Sequence, residues 1–257
     1  MSYVDLHSHL LPGVDDGAYD EAESLCHVRR MVAEGVREVT VTPHVNGFWA
    51  LELESIAGRV AGLQRAIDRE SLRLRLHPGG ELHPRRAAQL SDHDLDLIAQ
   101  GPPGRRWLLL EIPFDGIDGP FVELCSDLQA RGWGLLIAHP ERANGLLGGG
   151  LDRLAEPLRQ GAMLQVNVCS LLGHHGFDVQ ETAVTLLRRG LVRVLASDAH
   201  PGTRDHTLRL GFDLALGAGA TSVQAWRLTQ AHPRALLRDG MASTTARPAK
   251  GITRVAA

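Results

Sequence analysis

The sequence predicts a single α/β domain built on a parallel sheet closed into a barrel, and three observations carry that expectation. Short apolar segments alternate with amphipathic ones along most of the chain, the pattern of parallel strands joined by crossover helices. The connections are short, with no linker, internal repeat or low-complexity block to mark a second domain. Histidines and acids follow nearly every apolar segment. Only a closed ring brings all C-terminal strand ends to one mouth, whereas an open sheet gathers them mainly at a switch point.

Tyr3–Leu6 reads as a short buried strand ending in His7-Ser8-His9. Residues i and i+2 of a strand share a face, so His7 and His9 can reach one ion together. A Pro- and Gly-marked loop follows, from Leu10 to Gly17, with two adjacent acids. Asp16 is taken as an oxygen ligand and Asp15 as a turn or capping residue. A helix from about Asp20 to Glu34 places Ala22, Leu25, Val28 and Met31 on one face, leaving His27 on the surface. The next strand, Glu38–Thr42, is ended by Pro43-His44, and a long amphipathic helix covers Leu51 to Glu70.

Leu72–Leu76 is read as the third strand, running through Gly79-Gly80 into Glu81, with His83 exposed beyond it. Arg85 to Gln100 is helical or mixed. Trp107–Glu111 is a strand tipped by an acid, and a helix from Gly119 to Arg131 leads to Gly134–Ala138, tipped by His139-Pro140-Glu141-Arg142. Leu151–Gln160 reads as a helix, Met163–Asn167 as a strand, Val179–Arg189 as a helix, and Val192–Ala196 as a strand tipped by Ser197-Asp198-Ala199-His200. Helices between Arg204 and Leu237 close the domain, which is expected to span residues 1–240. From Met241 to residue 257 the chain is small and polar, the composition of a disordered tail.

Apolar residues are 44% of the 257, enough to bury a sizeable core. A formal charge of −3 and a pI near 6.5 exclude a nucleic-acid or membrane-surface footprint. Lys250 is the only lysine. Cys26, Cys125 and Cys169 form no C-x-x-C pair, as in a reduced cytosolic chain. No charged leader with an apolar core precedes Val4, and no apolar run is long enough to span a bilayer. The expectation is a cytoplasmic protein that is not membrane-inserted.

Collected at the strand ends are His7, His9, Asp16, His44, Glu81, Glu111, His139, Asp198 and His200. One by one, each has an ordinary structural reading as a satisfied core histidine or a capping acid. Together, several carboxylates in one mouth cost too much unless cations neutralise them. Imidazole and carboxylate without thiolate suit manganese, iron or zinc, and the number of donors suits two or three ions. Such clusters deliver an activated hydroxide to an electrophile. Arg142 and Arg204, close behind His139 and His200, match the paired oxygens of a phosphate.

At this point the chain resembles the polymerase-and-histidinol-phosphatase (PHP) superfamily. Within it, it is similar to the bacterial manganese-dependent protein-tyrosine phosphatases of capsular and exopolysaccharide synthesis. The motifs are D-L-H-S-H-L-L-P-G-V-D-D-G-A from Asp5, T-P-H at Thr42, G-G-E at Gly79, L-L-E-I-P at Leu109, A-H-P-E-R at Ala138, S-L-L-G at Ser170 and S-D-A-H at Ser197. They follow the family's order and cover most of the chain up to Arg204.

The resemblance implies a distorted TIM-like (β/α)7 barrel with about three divalent ions, manganese first, at its mouth. It implies one ion on His7, His9 and Asp198, a second on His139 with Glu81, and a third on Asp16, His44 and His200, with Glu81 and Glu111 available to bridge. Arg142 and Arg204 would grip the phosphate, and a metal-bound hydroxide would attack phosphorus. The implied partner is a phosphotyrosine protein, a bacterial tyrosine autokinase. The runner-up keeps the site but changes the substrate to histidinol phosphate or another small phosphomonoester. A non-catalytic module would show gaps among the ligands, and none exist. A metal-dependent amidohydrolase usually wants a placed lysine, and Lys250 sits in the tail. His174-His175 has no counterpart in the ligand set and is read as lining the pocket, and His206 is read as a surface residue.

Overall fold

The computed structural model describes residues 1–205 and 207–241. The sequence readings of His206 and of the tail beyond Met241 lie outside the described residues. Among the described residues nine strand segments follow in order: β1 (Tyr3–Asp5), β2 (Val36–Val41), β3 (His44–Val45), β4 (Arg75–Pro78), β5 (Glu81–Leu82), β6 (Trp107–Glu111), β7 (Gly134–Ala138), β8 (Met163–Asn167) and β9 (Val192–Ala196). They pair as β1-β2-β4 and as β3-β5-β6-β7-β8-β9, every pair parallel.

The two sheets are parts of one ring. β2 runs into β3 through Thr42-Pro43, and β4 into β5 through Gly79-Gly80. Pro43 has no N–H to give a ladder, and the glycines allow close approach. A Cβ on Gly80 would stand 2.9 Å from Val45 Cγ2 and 3.1 Å from Ile98 Cβ. The last strand returns to the first through Asp198 N–H to His7 O and His9 N–H to Ala199 O, each 2.9 Å, around a parallel bridge between Ser8 and Ala199. Counting β2/β3 and β4/β5 as single paths leaves seven strands, as the resemblance implies.

Alternation along the strands sorts the core into two layers. Val4, Leu6, Trp107, Leu109, Leu136, Ala138 and Val194 form one cluster with Leu236 and Met241, while their strand neighbours Leu108, Leu110, Leu135, Ile137 and Leu195 join the larger cluster with the surrounding helices. The first cluster fills the barrel, so its lower part is a packed core rather than a pore. Trp107 Nε1–H donates to Leu236 O at 3.0 Å, tying the last helix (His232–Asp239) under the ring. Met241, placed with the tail from sequence, is only 2% exposed and donates its N–H to Arg105 O.

Three local readings need correction. The third strand is Arg75–Pro78 rather than Leu72–Leu76, because Leu72 is used to end the helix Leu53–Arg69. Ser71 takes φ +55°, its N–H bonds Asp68 O, and Leu72 N–H bonds Ile67 O, the paired bonds of a Schellman cap. His27 is buried at 3% rather than on the surface, with Asp205 Oδ1 3.3 Å away in the loop beyond β9. The segment Leu151–Gln160 is two short helices, Leu151–Arg153 and Ala155–Arg159. No described helix is long and apolar enough to cross a membrane.

Candidate metal centre

Every residue singled out from sequence as a ligand or phosphate contact comes to the C-terminal mouth of the ring. Inward-facing positions continue past the core: Trp107 and Leu109 share a face with Glu111, and Met163 shares one with Gln165 and Asn167. The apolar layers therefore hand over to polar ones at the same end of each strand. Two strand tips are held in left-handed backbone, His139 at φ +34° and Asp198 at φ +49°, a conformation that costs about 1–3 kcal/mol per non-glycine residue. The D-D-G loop is pressed onto β1's exit, where a Cβ on Gly17 would collide with the His9 carbonyl.

The donors converge closely. His7 and His9 are fully buried, and their Nε2 atoms face each other at 3.3 Å. Asp198 Oδ1 is 3.4 Å from both, and Glu81 Oε2 is 3.5 and 3.4 Å from them. Glu81 Oε1 meets His139 Nε2 at 2.8 Å, and Asp16 Oδ1 lies 3.3 Å from both His44 Nε2 and His200 Nε2. Donor atoms lie within 4.8 Å of one another in four overlapping sets. These are His7, His9 and Asp198; His7, Glu81 and His139; His9, Asp16, His44 and His200; and His44, Glu81 and Glu111.

Arg142 Nη1 is 4.0 Å from Asp198 Oδ2, and its guanidinium carbon stands 4.2 Å from the centre of the Phe114 ring. Arg204 Nη2 is 3.5 Å from Asp198 Oδ1 and 2.8 Å from His200 Nε2. Both guanidinium groups thus border the cluster. His174 is exposed, whereas His175 is half-buried, with Nε2 3.2 Å from Cys169 Sγ. Burial, with the Arg142 and Arg204 charges, pushes His175 down to about 4, so it is neutral at pH 7. His83 caps the short helix Pro84–Ala87, accepting from Arg85 N–H.

Sequence reasoning passed over a supporting layer. His9 Nδ1–H donates to Asp15 Oδ2 at 2.8 Å, and His7 Nδ1–H donates to Gln165 Oε1 at 3.0 Å, so each ring turns Nε2 inward. Asn167 Nδ2–H donates to Asp198 Oδ2 and itself accepts from Gln165, both at 2.6 Å. Glu141, 2% exposed, accepts from Asn167 N–H at 2.9 Å. The signal for Gln165 and Asn167 was present: two amides at i and i+2 in the apolar strand M-L-Q-V-N. Nothing local marked Phe114 as the shelf beneath Arg142.

The charges are strongly coupled. Burial pushes His9 and His44 down, but carboxylates outweigh it. Asp15, Asp198 and Glu81 hold His9 well above the ordinary imidazole range, and Glu81 and Asp16 bring His44 to about 10. Burial raises Glu81 and Asp198, and the surrounding imidazoles hold both well below the ordinary carboxylate range. Glu111, buried beside Glu81, is pushed up to about 7.

The unpaired atoms show that this donor set fits divalent cations. Glu81 Oε2 and His44 Nδ1 are buried and 2.9 Å apart, yet neither has an aligned hydrogen bond; His139 Nδ1 is likewise unpartnered. Buried polar atoms without partners are costly, and a bound cation would give these atoms partners. Oxygen and nitrogen donors without thiolate suit manganese, iron or zinc.

Comparison with known proteins follows the same lines. The family model described as capsular polysaccharide synthesis, CpsB/CapC, matches residues 3–210. The tyrosine-protein phosphatase YwqE of Bacillus subtilis is 31% identical over 198 residues, 77% of each chain. The tyrosine-protein phosphatase CpsB of Streptococcus agalactiae is 25% identical, over 77% of this chain and 82% of its own. A solved structure from the pair YwqE of B. subtilis and CpsB of Streptococcus pneumoniae, described as metal-dependent tyrosine phosphatases, superposes with a TM-score of 0.78. It is 28% identical over 92% of this chain and 94% of that one. A histidinol phosphate phosphatase from Lactococcus lactis, 15% identical with a TM-score of 0.55 over 86% of this chain and 95% of its own, shares the fold.

Proposed function

The chain belongs to the CpsB/CapC family of capsular polysaccharide synthesis, and from that premise we propose that it is a metal-dependent protein-tyrosine phosphatase. The observation that carries the reading is the set of buried, mutually facing and partly unpartnered donors bordered by two guanidinium groups. The relatives' names and the similar structure support the same substrate class.

In this reading His7, His9 and Asp198 would hold one ion, His139 and Glu81 a second, and Asp16, His44 and His200 a third. Glu81 belongs to two of the donor sets, and it and Glu111 beside it would be available to bridge. Manganese is the expected metal, and iron or zinc would suit the same donors. When bound, the ions supply activated water and neutralise the charge that builds on the phosphoryl group.

The chain's own residues do the rest. Asp15 and Gln165 fix the tautomers of His9 and His7, so that each ring offers a lone pair inward. Arg142 and Arg204 hold the phosphate oxygens and orient phosphorus, and the Phe114 ring supports the Arg142 guanidinium by a cation–π contact. The departing phenolate, with a parent pKa of ~10, needs less protonation than an alkoxide would. A dedicated acid is therefore less necessary for an aryl than for an alkyl phosphate. The physiological substrate in this reading is a phosphotyrosine protein of the capsule system, a tyrosine autokinase, encountered in the cytoplasm.

The test is turnover by manganese-reconstituted protein of a phosphotyrosine peptide beside histidinol phosphate, with and without chelator. Manganese-dependent release from the peptide, lost in His44→Ala, is the expected result. A preference for histidinol phosphate would keep the metal chemistry and overturn the substrate.

A further inference from the structure

A cavity of about 520 Å³ lies beside the metal centre, between the segment that follows Glu81 and the loop that follows Glu111. Pro84 and Ala88 contribute one wall, and Pro113, Phe114, Pro120 and Leu124 the other. Its charged lining residues do not sum to a strong field: Arg85 stands with Asp115 and Asp118, and Asp118 is committed to the Phe121 N–H at 2.9 Å. The cavity is mainly apolar.

Phe114 joins the cavity to the site. Its ring carries the Arg142 guanidinium, lies 5.7 Å from the His139 ring, remains 39% exposed, and lines the cavity. The phosphate grip and the cavity therefore share one aromatic wall. A phosphate monoester of a small molecule, held at Arg142, would leave such a cavity unused. A polypeptide would not, because an extended chain advances ~3.3 Å per residue and carries neighbouring side chains past the Phe114 ring.

A second observation favours a polypeptide. Tyr19, Phe48 and Phe177 are 85%, 83% and 74% exposed, and they lie on segments that follow β1, β3 and β8 at the C-terminal strand ends. Exposed aromatic side chains gathered on one end of a fold are typical anchors for protein partners.

We propose that this cavity is a specificity subsite that receives a large apolar side chain flanking the phosphotyrosine of the protein substrate. The proposal rests on the phosphotyrosine reading above. Burying a leucine or phenylalanine there would cover the exposed faces of Phe114 and Leu124 as well as its own surface, and that gain is absent for glycine.

The experiment compares kcat/KM of the manganese-loaded protein on phosphotyrosine peptides with Gly, Leu, Phe or Glu at each position flanking the phosphotyrosine. Leu or Phe at one flanking position should raise kcat/KM about 10-fold over Gly. Leu124→Glu, which puts a charge into the cavity, and Ala88→Phe, which fills it from the opposite wall, should each bring that ratio close to 1. Because the readout is a ratio within one protein, loss of folded material does not imitate it. Equal rates for Leu and Gly peptides in the wild type, a preference for Glu, or a ratio unchanged in both variants would each overturn the subsite. Failure to turn over even the Gly peptide would instead remove the phosphotyrosine reading itself.

Discussion

His9 donates its Nδ1 hydrogen to Asp15 Oδ2 across 2.8 Å, and the same oxygen accepts the His44 backbone N–H at 3.0 Å. One carboxylate thus sets the ring orientation of one donor and the backbone position of another. Partners of this kind govern metal affinity by roughly 10–100-fold when removed. Asp15→Ala should therefore raise the manganese concentration needed for half-maximal activity by about that factor, with most of kcat recovered at saturating metal. An unchanged metal titration would show that Asp15 only shapes the loop.

The contrast between Asp15 and Asp16 shows where local sequence stops being informative. Both acids stand in one D-D-G turn, where Asp15 reads as the turn residue and accepts the Gly17 N–H, but no local pattern decides that it also orients His9. The decision is made by long-range packing, where Gly17 lets the loop close onto the His9 backbone. The strand-tip donors were legible because each ends an apolar run, and a closed parallel ring gathers such ends. Gln165 and Asn167 were equally legible from their alternation within β8, but two amides in an apolar strand carry less chemical contrast than histidines and acids. Phe114 meets Arg142 only through the fold. His27 was misplaced because helix periodicity reports the face toward the sheet and not the Asp205 loop that also packs near it.

Metal binding should release protons. In the metal-free cluster, burial lowers His9 and His44, but neighbouring carboxylates more than reverse this, leaving His9 well above its usual range and His44 at about 10. His44 therefore carries a proton at pH 7.5, and a cation needs its imidazole neutral. Calorimetric titration of manganese into metal-free protein in buffers of different ionisation enthalpy should show net proton release. Apparent affinity should weaken as pH falls. An observed enthalpy independent of buffer would contradict this picture of the empty cluster.

Arg142 should not be replaceable by lysine. Its planar guanidinium lies over Phe114 and can present two parallel N–H groups to a phosphate, whereas an ammonium can do neither in the same geometry. Arg142→Lys is expected to lower kcat/KM on a phosphotyrosine peptide by about 100-fold, on the scale of losing one preorganised donor to a transition state. Metal content should stay near that of the wild type. A loss below fivefold would show that charge alone suffices at this position.

Glu141 should make the metal-free protein less stable as pH rises. Burial pushes its carboxyl from 4.5 up to about 7, against the opposing pull of the Asn167 N–H. Between those values the folded chain keeps a proton that the unfolded chain gives up, so stability falls through that window and levels off above about pH 7. The shift corresponds to about 3 kcal/mol at most. Glu141→Gln keeps an oxygen to accept the Asn167 N–H and removes the ionisation. Urea unfolding of the two metal-free proteins should give similar stabilities near pH 4.5 and a more stable variant at pH 8. Using metal-free protein matters, because bound cations would hold the carboxylate charged and erase the difference. Curves that stay parallel from pH 4.5 to 8 would mean that this carboxyl ionises in the folded chain as it does in the unfolded one. Its burial against Asn167 would then carry no electrostatic cost.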